Sequence, residues 1–319
     1  MRMGLWTILL TSWCWAQPAL ELRVDASTAP RRLLRSQTTI PVQPGPMALV
    51  FPKWIPGEHG PSGPLNSVVE LKVFAGLKPL PWVRDSQNLH RITLEVPAGI
   101  QQLRVEMTLG ETSGSSQLRL LNFNQLLWHP EDIDAAEVQM QAEILLPPSW
   151  TGVSALQRKA ISGPIRLSRV DLSTLVDSPM LIGQHLASWD VTPKGEIKPH
   201  QVHAAADRPE ALKMNPAYLD YLRKLVVQTG HLFGYRPYSH YDWLLSLSDS
   251  LEPDGLEHHQ SSDNRWSEDG LIDQVQRQQL GDLLAHEFVH VWNGKYRRPA
   301  GLLSPDYQAP MDTSLLWFY

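Results

Sequence analysis

"GDLLAHEFVHVWNGKYRRP", residues 281–299, reads as the end of an amphipathic helix and the turn that leaves it. Leu280, Leu284, Phe288 and Val291 recur every three or four residues and form the stripe that such a helix packs into a domain. His286 and His290 lie off that stripe, four apart, which puts their β-carbons about 5–6 Å from each other on one face. Two imidazoles so placed can converge on one metal ion, and Glu287 can reach a water that the ion holds. The implied chemistry is zinc-assisted amide hydrolysis, with Glu287 as general base and later as proton donor. A catalytic zinc takes three protein ligands and keeps one position open, and this helix supplies two. Taken by themselves, the residues leave open a buried helix with two structural histidines.

Outward from this stretch, the second helix is expected from about Leu271 to Trp292, closed by Asn293-Gly294 in a left-handed turn. A polar loop (251–270) precedes it, and "YDWLLSLSDS" (241–250) before that reads as a strand. An earlier helix begins with Asp207 as its cap, carries Tyr218, Leu222, Leu225 and Leu232 at helical spacing, and ends near Gly230 and Gly234. Helix, strand, loop and helix make an α/β unit. Before about 190–205 the period is two. "LELRV" (20–24), "VVELKVFAG" (68–76), "HRITLEVPAG" (90–99), "LRVEMTLG" (103–110) and "EVQMQAEILLPP" (137–148) alternate apolar with polar between Pro- and Gly-rich turns. That is the pattern of antiparallel strands. The expected fold class is α+β multidomain, an N-terminal all-β domain over 17–195 followed by an α/β catalytic domain over 196–319, with a cleft between them.

Composition narrows the function classes. With 28 basic and 33 acidic residues the net charge is −5, and no basic block follows a phosphate backbone, so nucleic acid is not an expected partner. "MRMGLWTILLTSWCWA" (1–16) has a positive start, an apolar run too short to span a bilayer, and a small residue before a cleavage point. It reads as a signal peptide, and the chain as an exported protein, periplasmic or secreted, with no integral membrane segment after cleavage. Cys14, the only cysteine, falls inside that segment, which excludes a thiol nucleophile in the mature chain.

The residues around the helix resemble the active-site region of the glycyl aminopeptidase family, gluzincin metallopeptidases that usually carry a C-terminal PDZ domain. His286, Glu287, His290, Trp292, Asn293, Arg298, Pro299, Asp306, Tyr307, Leu316 and Trp317 match its pattern as they stand. "DGLEHHQSS" (254–262), "LVDSPMLIG" (175–183) and "FPKWIPGEHGPSG" (51–63) are also similar to it. The resemblance implies a thermolysin-like catalytic domain that binds one Zn2+ through His286 and His290. It implies peptide substrates with small N-terminal residues, glycine or alanine. It also places Gly255, Leu256, Glu257 and His258 in the substrate cleft, with Glu257 on the free amine. In that family the third ligand is a glutamate directly after the Leu-Trp segment, so it is expected just beyond Tyr319. The chain is therefore expected to stop short of that ligand and of the PDZ domain, and by itself to hydrolyse little. Asp306 and Asp312 are spaced to substitute but carry shorter side chains. His258-His259 and the interdomain pair His200 and His203 read as polar rather than metal-binding. The alternatives are an endopeptidase with the same chemistry and a secreted binding module without it.

Overall fold

The alternating stretches of the front half become neighbours in sheets whose inward residues share one core. The computed structural model describes residues 19–58, 60–110 and 114–318. The signal-peptide reading of residues 1–16 lies outside the described residues. The largest sheet sets Gln139–Leu145, Leu20–Asp25, Leu33–Pro41, Gln102–Gly110 and Val68–Ala75 side by side. All neighbours among these are antiparallel except Leu20–Asp25, which runs parallel to Gln139–Leu145. Leu103, Val105, Met107 and Leu109 point inward from one strand, as a period of two requires. A second sheet built on Gly45–Val50 and Arg91–Val96 contributes to the same core, around Phe51, Phe123 and Trp128. A third contains Leu118–Leu121, Thr151–Ser154, Gln157–Ser162 and Met180–Gly183.

The fourth sheet carries the candidate site. Its order is His185–Asp190, His200–Ala206, Tyr241–Leu247, Ser261–Trp266, Asp254–Glu257. The middle three strands are parallel and the two edges antiparallel. One face meets the third sheet through Leu118, Leu120, Val153 and Leu181 against Ala205 and Leu244. The other is covered by two helices, α1 (Pro216–Phe233) and α2 (Gln274–Val289). Leu222, Val226, Leu280, Leu284 and Phe288 pack there on Tyr241, Trp243, Leu245 and Leu247. Covered on both sides, Tyr241–Leu247 is buried at every position, as a central parallel strand should be. Arg158, from the third sheet, grips Asp242 with two bonds of 2.8 and 2.9 Å, an ion pair joining the two layers.

Several expectations are corrected. The region 251–270 is not a loop: it holds the strands Asp254–Glu257 and Ser261–Trp266. The first long helix starts at Pro216, capped by Asn215, whose side chain accepts from the Ala217 N–H at 2.9 Å. Asp207 instead accepts from the Ser115 and Ser248 hydroxyls. Gly234 does end that helix, at φ 67, but Leu232 is exposed. The second helix spans Gln274–Val289 rather than 271–292, and its C-cap, His290, is right-handed. His200 and His203 lie within a strand of the fourth sheet, not in an interdomain stretch. Both are fully buried on one strand, bonded to the Tyr238 hydroxyl at 2.9 Å and to the Ser188 hydroxyl at 2.7 Å. The strand His185–Asp190, on the N-terminal side of the 195/196 division, pairs into the fourth sheet.

Candidate active site

α2 is fixed before its polar face does anything. Asp273 caps its start by accepting from the Gln276 N–H at 2.9 Å. Leu280, Leu284, Phe288 and Val291 show no exposure, so the expected stripe is the buried one. From the sheet below, the Trp243 indole donates to the Leu284 carbonyl at 3.0 Å and the Tyr241 hydroxyl to the Glu287 carbonyl at 3.3 Å. These contacts set the helix's rotation and turn His286 and His290 away from the core.

The two rings converge, with their Nε2 atoms 3.0 Å apart. His290 Nδ1 lies 2.9 Å from the Asn293 carbonyl, which can only accept, so Nδ1 carries the proton and a neutral ring offers its Nε2 lone pair forward. Two nitrogens each about 2.0–2.1 Å from a tetrahedral zinc would lie about 3.3 Å apart. The pair fits two of the ligands of such an ion. Among the described residues no set of three His, Cys, Asp or Glu side chains is arranged to hold a metal. Asp306 spends one carboxylate oxygen on the Gln308 and Ala309 N–H groups, and Asp312 is exposed, so neither joins the histidines.

Glu287 is buried at 4% exposure, and its carboxylate lies against Gly255 of the edge strand, where a β-carbon would collide with it. Burial first, then the neighbouring carboxylates of Glu257, Asp254 and Asp263, push its pKa up to about 8, with Lys295 opposing. Glu257 is itself only 3% exposed. The Glu257 carboxylate thus raises the proton affinity of Glu287, next to the imidazole pair.

The edge strand is anchored at its far end by a residue of the stretch 175–183 to which the sequence assigned no role. Asp177 accepts from the Lys295 ammonium at 3.0 Å and from the His259 backbone N–H at 2.7 Å, and it also meets the imidazoles of His259 (2.6 Å) and His258 (3.3 Å). Lys295, His258 and His259 together hold its pKa well below the usual carboxylate range against the effect of burial. The Lys295 N–H also donates to the His290 carbonyl at 2.9 Å, so one network spans the helix end, the edge strand and the front half. The Pro/Gly-rich segment 51–63 now has a place. Gly57, at φ 93, sits where a β-carbon would come within 2.6 Å of Leu256 Cδ1 and 2.8 Å of Glu257 Oε2. Lys53 and Trp54 donate from their backbones to the Tyr307 carbonyl at 3.0 and 2.9 Å. Both "LVDSPMLIG" and "FPKWIPGEHGPSG" stand out in the sequence, but their contacts come from chain distances that no local pattern spans.

The expected residues are therefore brought together unequally. His286, Glu287, His290, Gly255 and Glu257 form one surface, while Leu256 and His258 face a cavity of about 700 Å³ beside it. Lys295, Arg298, Ser304 and Tyr307 line other parts of that cavity.

Comparison with known proteins follows the same division. The description "Peptidase M61 N-terminal domain" matches residues 21–184, just over half of the chain, and "M61 glycyl aminopeptidase" matches 279–319. The first match ends one residue before the fourth sheet begins. The chain belongs to the M61 glycyl aminopeptidase family. Among solved structures, an aminopeptidase N family protein from Idiomarina loihiensis superposes with a TM-score of 0.78 at 20% identity. That likeness, which speaks for the fold, covers 94% of this chain and 52% of the other, so the chain spans about half the length of its relative. An M1 zinc metallopeptidase from Deinococcus radiodurans gives a TM-score of 0.46 at 13% identity, over 86% of this chain and 63% of that one. No curated protein matches.

Proposed function

We propose that the chain carries the zinc helix and the amine-binding strand of an aminopeptidase that removes small N-terminal residues, glycine or alanine, from peptides. One observation carries the reading: Glu257 and Glu287 are buried together beside the converging pair His286 and His290. A carboxylate on a cleft wall attracts a cation. The free ammonium of a peptide, placed at Glu257, is such a cation, and a blocked N-terminus is not.

His286 and His290 would hold zinc, which when bound polarises the scissile carbonyl and makes water acidic enough to attack near neutral pH. The chain's own residues do the rest. The Asn293 carbonyl keeps His290 in the tautomer that presents Nε2. Glu287 takes the proton of the attacking water and returns it to the departing amine nitrogen. Gly255 leaves its carboxylate room, and the Asp177 network holds the strand that bears Glu257. The same proposal takes 196–319 as a thermolysin-like catalytic domain beside an N-terminal domain over 17–195, in a protein exported through residues 1–16.

Metal analysis of the full-length protein should find one zinc per chain, lost in His286→Ala and in His290→Ala. Gly-Ala-Ala should be hydrolysed and its N-acetyl form should not. Equal hydrolysis of both would replace the aminopeptidase with an endopeptidase, and no zinc with no hydrolysis would remove the enzyme.

A further inference from the structure

The cavity of about 700 Å³ that adjoins the edge strand has the size of a small-ligand site and is lined there by Leu256 and His258, the two neighbours of Glu257 in sequence. Two basic side chains line it, Lys295 and Arg298, beside the carboxylates of Glu58, Asp134 and Asp177, and the two cations are not equivalent. Lys295 is 1% exposed and committed to Asp177 at 3.0 Å, so its charge is neutralised inside the fold. Arg298 is partly exposed and has no carboxylate within ion-pairing distance and no side-chain hydrogen bond among the described residues.

The wall around Arg298 is held in shape from both sides. The turn that precedes it is closed by the Gly294 N–H on the Arg297 carbonyl at 2.7 Å and by the Lys295 N–H on the His290 carbonyl. Tyr307 lines the same cavity with a left-handed backbone, φ 57, unusual for an aromatic residue. That conformation is locked by the Lys53 and Trp54 N–H groups on its carbonyl. Strained backbone persists where its surroundings over-determine it, and such places cluster at ligand sites.

We propose that this cavity is a carboxylate subsite, in which the Arg298 guanidinium binds a carboxylate of the peptide whose amine is read by Glu257. The inference rests on the aminopeptidase reading and deepens it: the favoured substrates are short peptides with a carboxylate within reach. Arginine suits the task because its planar fork pairs two N–H donors with the two oxygens of a carboxylate. The carboxylate is the C-terminus of the peptide or the side chain of an aspartate or glutamate.

Binding to the metal-stripped full-length protein, followed by calorimetry, tests this without turnover. Four peptides suffice: Gly-Ala-Ala-Ala as the free acid, its C-terminal amide, its N-acetyl form, and Gly-Ala-Ala-Asp amide. The amide should bind about tenfold more weakly than the acid, the size of one charge-assisted bond. Recovery with the Asp amide would assign the site to acidic side chains as well, and no recovery would assign it to the C-terminus alone. In Arg298→Ala the acid and amide should bind equally, and Arg298→Lys should restore part of the difference. Equal binding of all three non-acetylated peptides to the unmodified protein overturns the subsite, whatever the variants do. A loss on acetylation without a loss on amidation leaves the amine reading standing and removes Arg298; the reverse pattern removes Glu257 and keeps Arg298. No binding by any of the four sinks both.

Discussion

Between the sheets built from residues 20–183 and the sheet-and-helix layer after them, buried charge is divided unevenly. The front core runs through Leu22, Ile40, Leu49, Phe51, Phe123 and Trp128, apolar side chains from strands that alternate inward and outward. The layer behind it buries Asp242, Glu257, Asp263 and Glu287, each at 4% exposure or less. Asp242 is matched by Arg158 and flanked by His203 and His240. Asp263 and Glu287 are instead pushed up to pKa values of about 6 and about 8. An apolar core stabilises whatever the pH, whereas buried carboxylates lower stability once they ionise. The difference separates an apolar scaffold from a layer whose buried carboxylates respond to pH.

The largest test removes one of the costly groups. Glu287→Gln should lower peptide hydrolysis by about 100- to 10,000-fold, the range for losing a general base. The same variant should be no less stable than the parent in urea, because an amide of the same shape replaces a carboxylate held in a poor environment. A marked loss of stability would place Glu287 among the structural groups and blur the contrast. Arg158→Ala probes the opposite kind of buried charge. It takes from Asp242 its guanidinium partner and leaves His203 and His240, which together with Arg158 hold the carboxyl well below its ordinary range. Breaking such a pair costs about 3–5 kcal/mol, readable as a lower urea midpoint. A change below about 1 kcal/mol, the value of a surface pair, would show that the layers are joined by the apolar contact alone.

How much of this was legible in the sequence follows from the same contrast. Strands with one face on an apolar core announce themselves, and all five alternating stretches of the front half are strands. Ser261–Trp266 did not, because its buried side chains are Ser261, Ser262, Asp263 and Asn264, held by pairing on both sides and not by apolar burial. Asp207 and Asn215 both offer a capping oxygen, and the deciding sign was Pro216, which favours the first position of a helix. The convergence of His286 and His290 was readable from a four-residue spacing. The Asp177–Lys295 bond joins residues 118 apart, and nothing in a single sequence spans that distance.

A pH series sharpens the comparison by a smaller amount. Glu287 binds its proton more tightly folded than unfolded, so its protonation stabilises the metal-free protein at low pH, and that contribution is lost as pH rises toward about 8. His129 and His200, both depressed to about 4 by burial, act in the opposite sense between about 4 and 6.5. Asp263 acts with Glu287 but is spent by about 6. Above 6.5 the Glu287 slope stands clear, at most roughly 1.4 kcal/mol per pH unit, or about 2 kcal/mol up to pH 8. The thermal midpoint of metal-free protein should fall over that window, and Glu287→Gln should flatten the fall. A slope that survives the substitution would have to come from another group.

The smallest expected effect tests the one point where the front half reaches into the site. Gly57 stands at φ 93, a region that costs an L side chain about 1–2 kcal/mol. A methyl group there would also press on Leu256 Cδ1 and Glu257 Oε2, both ends of flexible side chains that can shift. Gly57→Ala should therefore lower stability by only about 1 kcal/mol or slightly more. If the front half merely supports the back, that is the whole result. If segment 51–63 helps to set the amine anchor, displacement of the Glu257 carboxylate should also raise KM for free peptides while kcat changes little, since Glu287 and the histidines are untouched. The split between KM and kcat, not the stability loss, decides whether the scaffold ends where the site begins.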